Sequence, residues 1–253
     1  MPPKPQKQQG HPKGPTQQQQ GHQAAPARSR SNTNSPSGLE YLGALDQLII
    51  KQQVELLEAF TGFETGNKYI ACNNQGQQVY FLAESSNICT RCCCDEGRCF
   101  SMNVMDTQKR QVMKFIRPLR CQSNYRGLCC CCLQQVEVQA PPEQTIGFVK
   151  EGCSFCRSSF YICDNAGSPL VRVQGPCITR SCPCSCDVKF AVLTLAGKEI
   201  GVITKQWSGA VKEMFTDADT FSVTFPLDLD IRAKASIVAC SILIDYMFFE
   251  KTQ

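Results

Sequence analysis

Histidine is nearly missing from this chain: of its 253 residues only His11 and His22 carry an imidazole, and both lie among the first 38. The remainder has no imidazole for a general base, a catalytic triad or a Cys/His zinc site, which argues against most hydrolytic enzymes. Acid is missing from that same opening stretch, which holds Lys4, Lys7, Lys13, Arg28 and Arg30. The rest of the chain carries 21 basic against 22 acidic residues, so the net charge of +4 belongs to the tail. Also lacking is an N-terminal apolar stretch resembling a signal peptide, so a reducing compartment is expected and the nineteen cysteines are not read as a disulfide scaffold. Cys92-Cys93-Cys94 and Cys129-Cys130-Cys131-Cys132 agree with this, because neighbouring cysteines rarely reach disulfide geometry with each other.

What is present divides the chain in two. Residues 1–38 are largely Pro, Gln, Gly and Ser and are expected to be a disordered, flexible arm, since they have too little apolar surface to bury. From Leu39 to the C-terminus the 42% apolar content supports a real core. Leu39, Leu42, Leu45 and Leu48 have the spacing of one face of a short helix, followed by an extended stretch through Ile49 and Val54 to Phe60. Thereafter short β-prone segments predominate: Tyr69–Cys72, Gln78–Leu82, Met113–Ile116, Val136–Gln139, Phe160–Cys163, Val188–Leu195 and Glu199–Thr204. Turn signals separate them at Asn73-Asn74-Gln75-Gly76, Asp164-Asn165-Ala166-Gly167 and Ala196-Gly197-Lys198. The hairpins at Cys72 and Cys163 share the pattern C-[ND]-N-x-G-x-x-[VL], and Ile146-Gly147-Phe148-Val149 echoes Ile200-Gly201-Val202-Ile203. Two similar halves of this kind close readily into a barrel with few open edges. The final segment, Ala235 to Phe249, is apolar on every side except for Ser236, Ser241 and Asp245, so a helix there must be buried in protein or in lipid.

Several strings, in order and spacing, resemble the phospholipid scramblase family: Gly38-Leu39-Glu40-Tyr41-Leu42, Gln52 to Leu57, Arg117-Pro118-Leu119-Arg120-Cys121, Gln139-Ala140-Pro141-Pro142, Phe215 through Asp230, and Leu243 to Glu250. The resemblance implies a mainly β fold, a tubby-like closed antiparallel β-barrel spanning residues 39–253 around a hydrophobic C-terminal helix at 233–250. It also implies a non-enzymatic, transporter-like activity: calcium-activated, ATP-independent, bidirectional movement of phospholipids between leaflets. The alternative is an acylated, membrane-attached module that binds lipid or protein and has a nuclear role.

By the same resemblance calcium is held by Asp217, Asp219, Phe221, Val223, Phe225 and Asp228. The residues themselves make a poor site, since an EF-hand loop wants oxygen side chains at positions one, three and five, Gly at six and Glu at twelve. Phe221, Val223 and Phe225 can offer only carbonyls, and their i, i+2, i+4 spacing equally suits one buried face of a strand. Any affinity is expected to be weak, on the order of 10⁻⁴–10⁻³ M. Cys129, Cys130, Cys131 and Cys132 sit where the family carries its palmitoylation cluster, and two or more acyl chains make a stable anchor where one does not. Thiolate metal binding competes for Cys153, Cys156, Cys182 and Cys184.

Fifteen helical residues span about 22 Å, short of the roughly 30 Å hydrocarbon core. Arg232 and Lys234 fit a cytoplasmic flank of a membrane helix, whereas inside a barrel Asp245 can be satisfied by strand amides; the buried arrangement is favoured. Expected partners are membrane phospholipids, a second copy of the chain and proteins reached by the N-terminal arm, with nucleic acid not expected. The expected location is the plasma membrane with the bulk of the chain cytoplasmic, together with a nuclear pool.

Overall fold

A computed structural model describes residues 1–3, 38–53, 66–85, 99–120, 133–140, 143–154, 157–177, 186–207 and 219–249. A single helical turn, α1 (Glu40–Gly43), precedes twelve strands: β1 (Gln47–Gln53), β2 (Lys68–Cys72), β3 (Gln78–Glu84), β4 (Phe100–Asp106), β5 (Gln111–Arg117), β6 (Gln135–Gln139), β7 (Thr145–Glu151), β8 (Ser159–Cys163), β9 (Pro169–Gln174), β10 (Val188–Thr194), β11 (Glu199–Gln206) and β12 (Thr220–Thr224). A long helix, α2 (Ile231–Phe248), follows. Each strand pairs antiparallel with the next, and β12 pairs back onto β1 with Leu48 opposite Val223, so the sheet closes and leaves no edge strand.

Side chains alternate along the strands, and the inward set is apolar: Leu48 and Ile50 on β1, Phe100, Met102 and Val104 on β4, Phe190 and Val192 on β10. Helix α2 fills the space they enclose. Every residue from Ala233 to Phe248 is buried, and the helix touches strands around the ring through Tyr69, Phe100, Phe160 and Phe190. The all-round apolar pattern thus reports a helix surrounded by protein. The helix begins two residues before the expected position 233 because Asp230 caps it, its Oδ1 accepting from Arg232 N at 2.8 Å and Ala233 N at 3.4 Å.

The up-and-down order gives the barrel two unlike ends. Tight turns close one, here called the hairpin end, and four of them are built alike. Asn73, Asp106, Asp164 and Thr194 each accept a backbone N–H from the residue three places on, which lies at positive φ: Gly76, Lys109, Gly167 and Gly197. The side-chain oxygen of each leading residue also caps the turn, as when Asp106 Oδ1 accepts from Gln108 N at 2.8 Å and Arg110 N at 2.9 Å. A register shift follows each of these turns, the bulge expected when a left-handed residue closes a short hairpin loop. The repetition visible at Cys72 and Cys163 is therefore carried by four hairpins.

The Ile-Gly echo also has a structural basis. A Cβ on Gly147 would lie 2.7 Å from Cys163 O and 2.9 Å from Ser236 Oγ, and one on Gly201 would lie 2.2 Å from Thr224 O. Both glycines let a strand approach a neighbouring backbone more closely than any side chain permits.

At the opposite end, the long-connection end, β1 leads to β2, β3 to β4, β5 to β6, β7 to β8, β9 to β10 and β11 to β12. The same end receives the C-terminus of α2, where Phe249 packs 6.0 Å from the ring of Phe221. Strands of five to eight residues are shorter than the nine to eleven that a membrane-crossing strand requires. Among the described residues no helix is long and apolar enough to cross a membrane.

Candidate functional site

The segment expected to bind calcium is largely a barrel strand. Phe221, Val223 and Phe225 are buried, the first two as inward residues of β12 and the third just after it. Phe221 and Val223 are paired on both sides, with Ile50 and Leu48 of β1 and with Lys205 and Ile203 of β11. Asp219 precedes the strand at the long-connection end, where its Oδ1 lies 2.9 Å from Lys205 Nζ. Asp228 is exposed beyond the strand's other end. The four steps from Thr220 to Thr224 alone put about 13 Å of strand between the two residues. As folded, one ion cannot touch both, and the described ligands do not fit a single calcium site. Asp217 lies outside the described residues.

Cys129, Cys130, Cys131 and Cys132 also lie outside the described residues, as do Cys156, Cys182 and Cys184, while Cys153 is exposed. The residues that flank the tetrad are well defined. Arg117 is buried at the end of β5 and donates through Nε and Nη2 to Gln134 Oε1 at 3.0 and 2.8 Å. Arg120 donates to Leu133 O at 2.9 Å and to Gln135 Oε1 at 3.2 Å. The two arginines of Arg117-Pro118-Leu119-Arg120 therefore fasten the chain entering this connection to the chain leaving it. Leu119, 59% exposed, and Trp207, 42% exposed, add apolar surface at the same end of the barrel.

Two polar contacts hold α2 near that end. Tyr69 donates its hydroxyl to Asp245 Oδ2 at 2.7 Å, and Tyr246 donates to Glu84 Oε2 at 2.8 Å while its ring stacks 4.3 Å from Phe100. Asp245 is buried inside the barrel as expected, but the partner is a tyrosine hydroxyl on β2 where strand amides were expected.

Lys234 occupies the hairpin end and is wholly buried, so it does not serve as the solvent flank of a membrane helix. Its Nζ donates to Leu45 O at 2.7 Å, Leu227 O at 3.0 Å, Gly43 O at 3.1 Å and Leu42 O at 3.5 Å, with the Phe225 ring centroid 5.1 Å away. Burial lowers its pKa, against the opposing effects of Asp46 and Asp228. An ammonium among carbonyls ties α1 and the β12–α2 link to the central helix. The available signal was a lysine in an otherwise apolar helix eleven residues before Asp245, which puts both on nearly the same face about 16 Å apart.

The Scramblase family model matches residues 25–251. The chain is 44% identical over 247 residues to "Phospholipid scramblase 2" of Bos taurus, covering 96% of this chain and 80% of that protein. It is 46% identical over 222 residues to "Phospholipid scramblase 1" of Mus musculus and over 221 residues to the protein of that name from Homo sapiens, spanning 66% and 68% of their lengths. No solved structure matches.

Proposed function

This chain belongs to the scramblase family, and from that membership we propose that it moves phospholipids between the two leaflets of a membrane, in both directions and without ATP. The identity to the bovine protein over nearly the whole chain carries this reading. The barrel works from the bilayer surface with its long-connection end toward the lipid, acylated at Cys129 to Cys132 and held there by more than one chain. The neck closed by Arg117 and Arg120, and the exposed Leu119 and Trp207, support that orientation. With α2 enclosed, the described residues of one copy form no polar groove as long as the hydrocarbon is thick, so headgroups pass through disturbed lipid or between copies of the chain.

Calcium activation belongs to the same proposal and rests on the sequence resemblance; no step is assigned to the ion, because Asp219 and Asp228 stand apart as folded. Attachment to the inner face of the plasma membrane, a nuclear pool of unacylated chain and partners bound by the N-terminal arm are proposed on the same footing. Vesicles holding a fluorescent lipid in both leaflets, reconstituted with the full chain, test the activity. A rise in quencher-accessible lipid without ATP is expected, larger with calcium; no rise above empty vesicles refutes scrambling, and a rise indifferent to calcium refutes only the activation.

The sealed barrel favours a second reading, a membrane-attached module that binds lipid or protein without moving lipid. Replacing Cys129 to Cys132 with Ala is then expected to release the protein from membranes while partner binding persists.

A further inference from the structure

At the hairpin end, away from the acylated face, α1 and the β2–β3 and β4–β5 turns enclose a cleft of about 670 Å³. Its wall includes Glu40, Tyr41, Tyr80, Asp106 and Arg110. Tyr80 is only 2% exposed, and its buried hydroxyl lies beside the Leu42 backbone without a well-formed hydrogen bond. Burial, and after it the negative charge of Glu40, hold this hydroxyl above its ordinary pKa against the opposing effect of the Leu42 backbone, with Asp106 adding to the rise. It therefore remains a neutral donor and acceptor at physiological pH.

The charges around it are arranged in two groups. Glu40 accepts from Gly38 N through Oε2 at 2.8 Å, and its other carboxylate oxygen is available. Tyr41, 48% exposed, adds an aromatic face, and Asn73 Nδ2 donates to its hydroxyl at 3.3 Å. A carboxylate beside aromatic rings is the environment that recognises an ammonium group. Asp106 is fully engaged: Oδ1 takes two backbone N–H groups, and Oδ2 takes Arg110 Nε at 2.8 Å and Arg110 Nη2 at 2.8 Å. Asp106 thereby holds the guanidinium in place, and Arg110, 67% exposed, keeps N–H groups free for an anion.

We propose that this cleft binds a small zwitterion in which an ammonium group and a phosphate are a few bonds apart, the ammonium held by Glu40 and Tyr41 and the phosphate by Arg110, with the Tyr80 ring forming part of the wall. The choice of phosphate over carboxylate rests on the proposed lipid-handling function; the ammonium half rests on the cleft alone. Because α1 forms one wall and Lys234 ties α1 to α2, occupancy of the cleft is linked mechanically to the central helix.

Phosphocholine, choline and inorganic phosphate, each titrated into the full chain by calorimetry, test the proposal. Phosphocholine is expected to saturate a single site and to bind more tightly than either fragment. Glu40→Gln and Arg110→Gln should each weaken it by about threefold to fivefold, as exposed charge pairs do. Displacement of phosphocholine by phosphatidylcholine vesicles supports the site as one for headgroups presented by a bilayer and turns the hairpin end, not the long-connection end, toward it, whereas retention supports it as one for the free compound. The absence of saturable phosphocholine binding overturns the inference, as does binding unchanged by Glu40→Gln and Arg110→Gln, or inorganic phosphate binding as tightly as phosphocholine. Lipid scrambling that persists without phosphocholine binding would sink this inference and leave the proposed function standing, whereas the reverse pattern would sink the function.

Discussion

Lys234→Met removes the ammonium at the hairpin end while keeping an unbranched side chain of similar length. Burying the charge is costly in isolation, by several kcal/mol, so the complete arrangement need not outdo an apolar substitute by much. The variant, however, deletes only one side of it. Leu42 O keeps a bond from Leu45 N, but Gly43 O, Leu45 O and Leu227 O have no other backbone partner among the hydrogen bonds of the described turns. Leu45 O is buried and Gly43 O and Leu227 O are part-buried, so loss of their donor at about 1–3 kcal/mol for the buried one and less for the others sets the range, and removing one partner of a buried charged group typically costs about 3–5 kcal/mol. The lower part of that span is expected here because water can enter at the barrel end. Against a total stability of about 5–15 kcal/mol, a loss of about 3 kcal/mol is large. Urea unfolding followed by far-ultraviolet circular dichroism reads it as a lower midpoint at unchanged slope. Arg232→Met, at an exposed neighbouring position, should stay within about 0.5 kcal/mol of the parent. A Lys234→Met loss under about 1 kcal/mol would refute the claim that the ammonium ties the turn, the link and the helix together.

Three further outcomes follow from the fold. Gly201→Ala forces a methyl into Thr224 O and should destabilise by about 2–4 kcal/mol in the same unfolding assay, a loss that a stable, fully active Ala variant would contradict. Lys109 has φ of 62° without being glycine, so Lys109→Gly should raise stability by about 0.5–1 kcal/mol, relief of left-handed strain exceeding the added chain entropy; a lower urea midpoint would reverse that sign. Burial raises the Cys240 pKa from its ordinary 9.0, so stability associated with this group is complete below pH 9 and declines as pH rises toward the folded value. Between those limits the parent should lose about 1.4 kcal/mol per pH unit relative to Cys240→Ala, and parallel pH profiles would contradict the assignment.

Much of the barrel was readable because its punctuation is local. Asn73 to Gly76 and Asp164 to Gly167 carry glycine where the turn needs positive φ, and the strands beside them alternate by burial as β-prone segments do. The Asp106 to Arg110 turn has the same geometry but puts Lys109 at the left-handed position, so its strands lacked that signal and β4 went unrecognised. β12 was legible only as an alternative, in the spacing of Phe221, Val223 and Phe225, because carbonyl ligands and a buried strand face produce the same apolar alternation. Lys234 was misread for a reason of distance. A lysine before an apolar helix suits a membrane flank, and the carbonyls that surround it come largely from Leu42 to Leu45, some 190 residues earlier. The pairing of β1 with β12 that closes the barrel has no local signature either. The cleft likewise depends on Glu40, Tyr80 and Arg110 meeting from three separate segments.

Photolabelling the full chain with a phospholipid that carries a carbene precursor in its acyl chain, under conditions that give lipid transfer, bears most directly on a surface-acting barrel with an enclosed helix. Label is expected around Leu119 and Trp207 and absent from Ala233 to Phe248. Label within α2 would mean that the helix leaves the barrel to enter lipid, contradicting its enclosure in the working state.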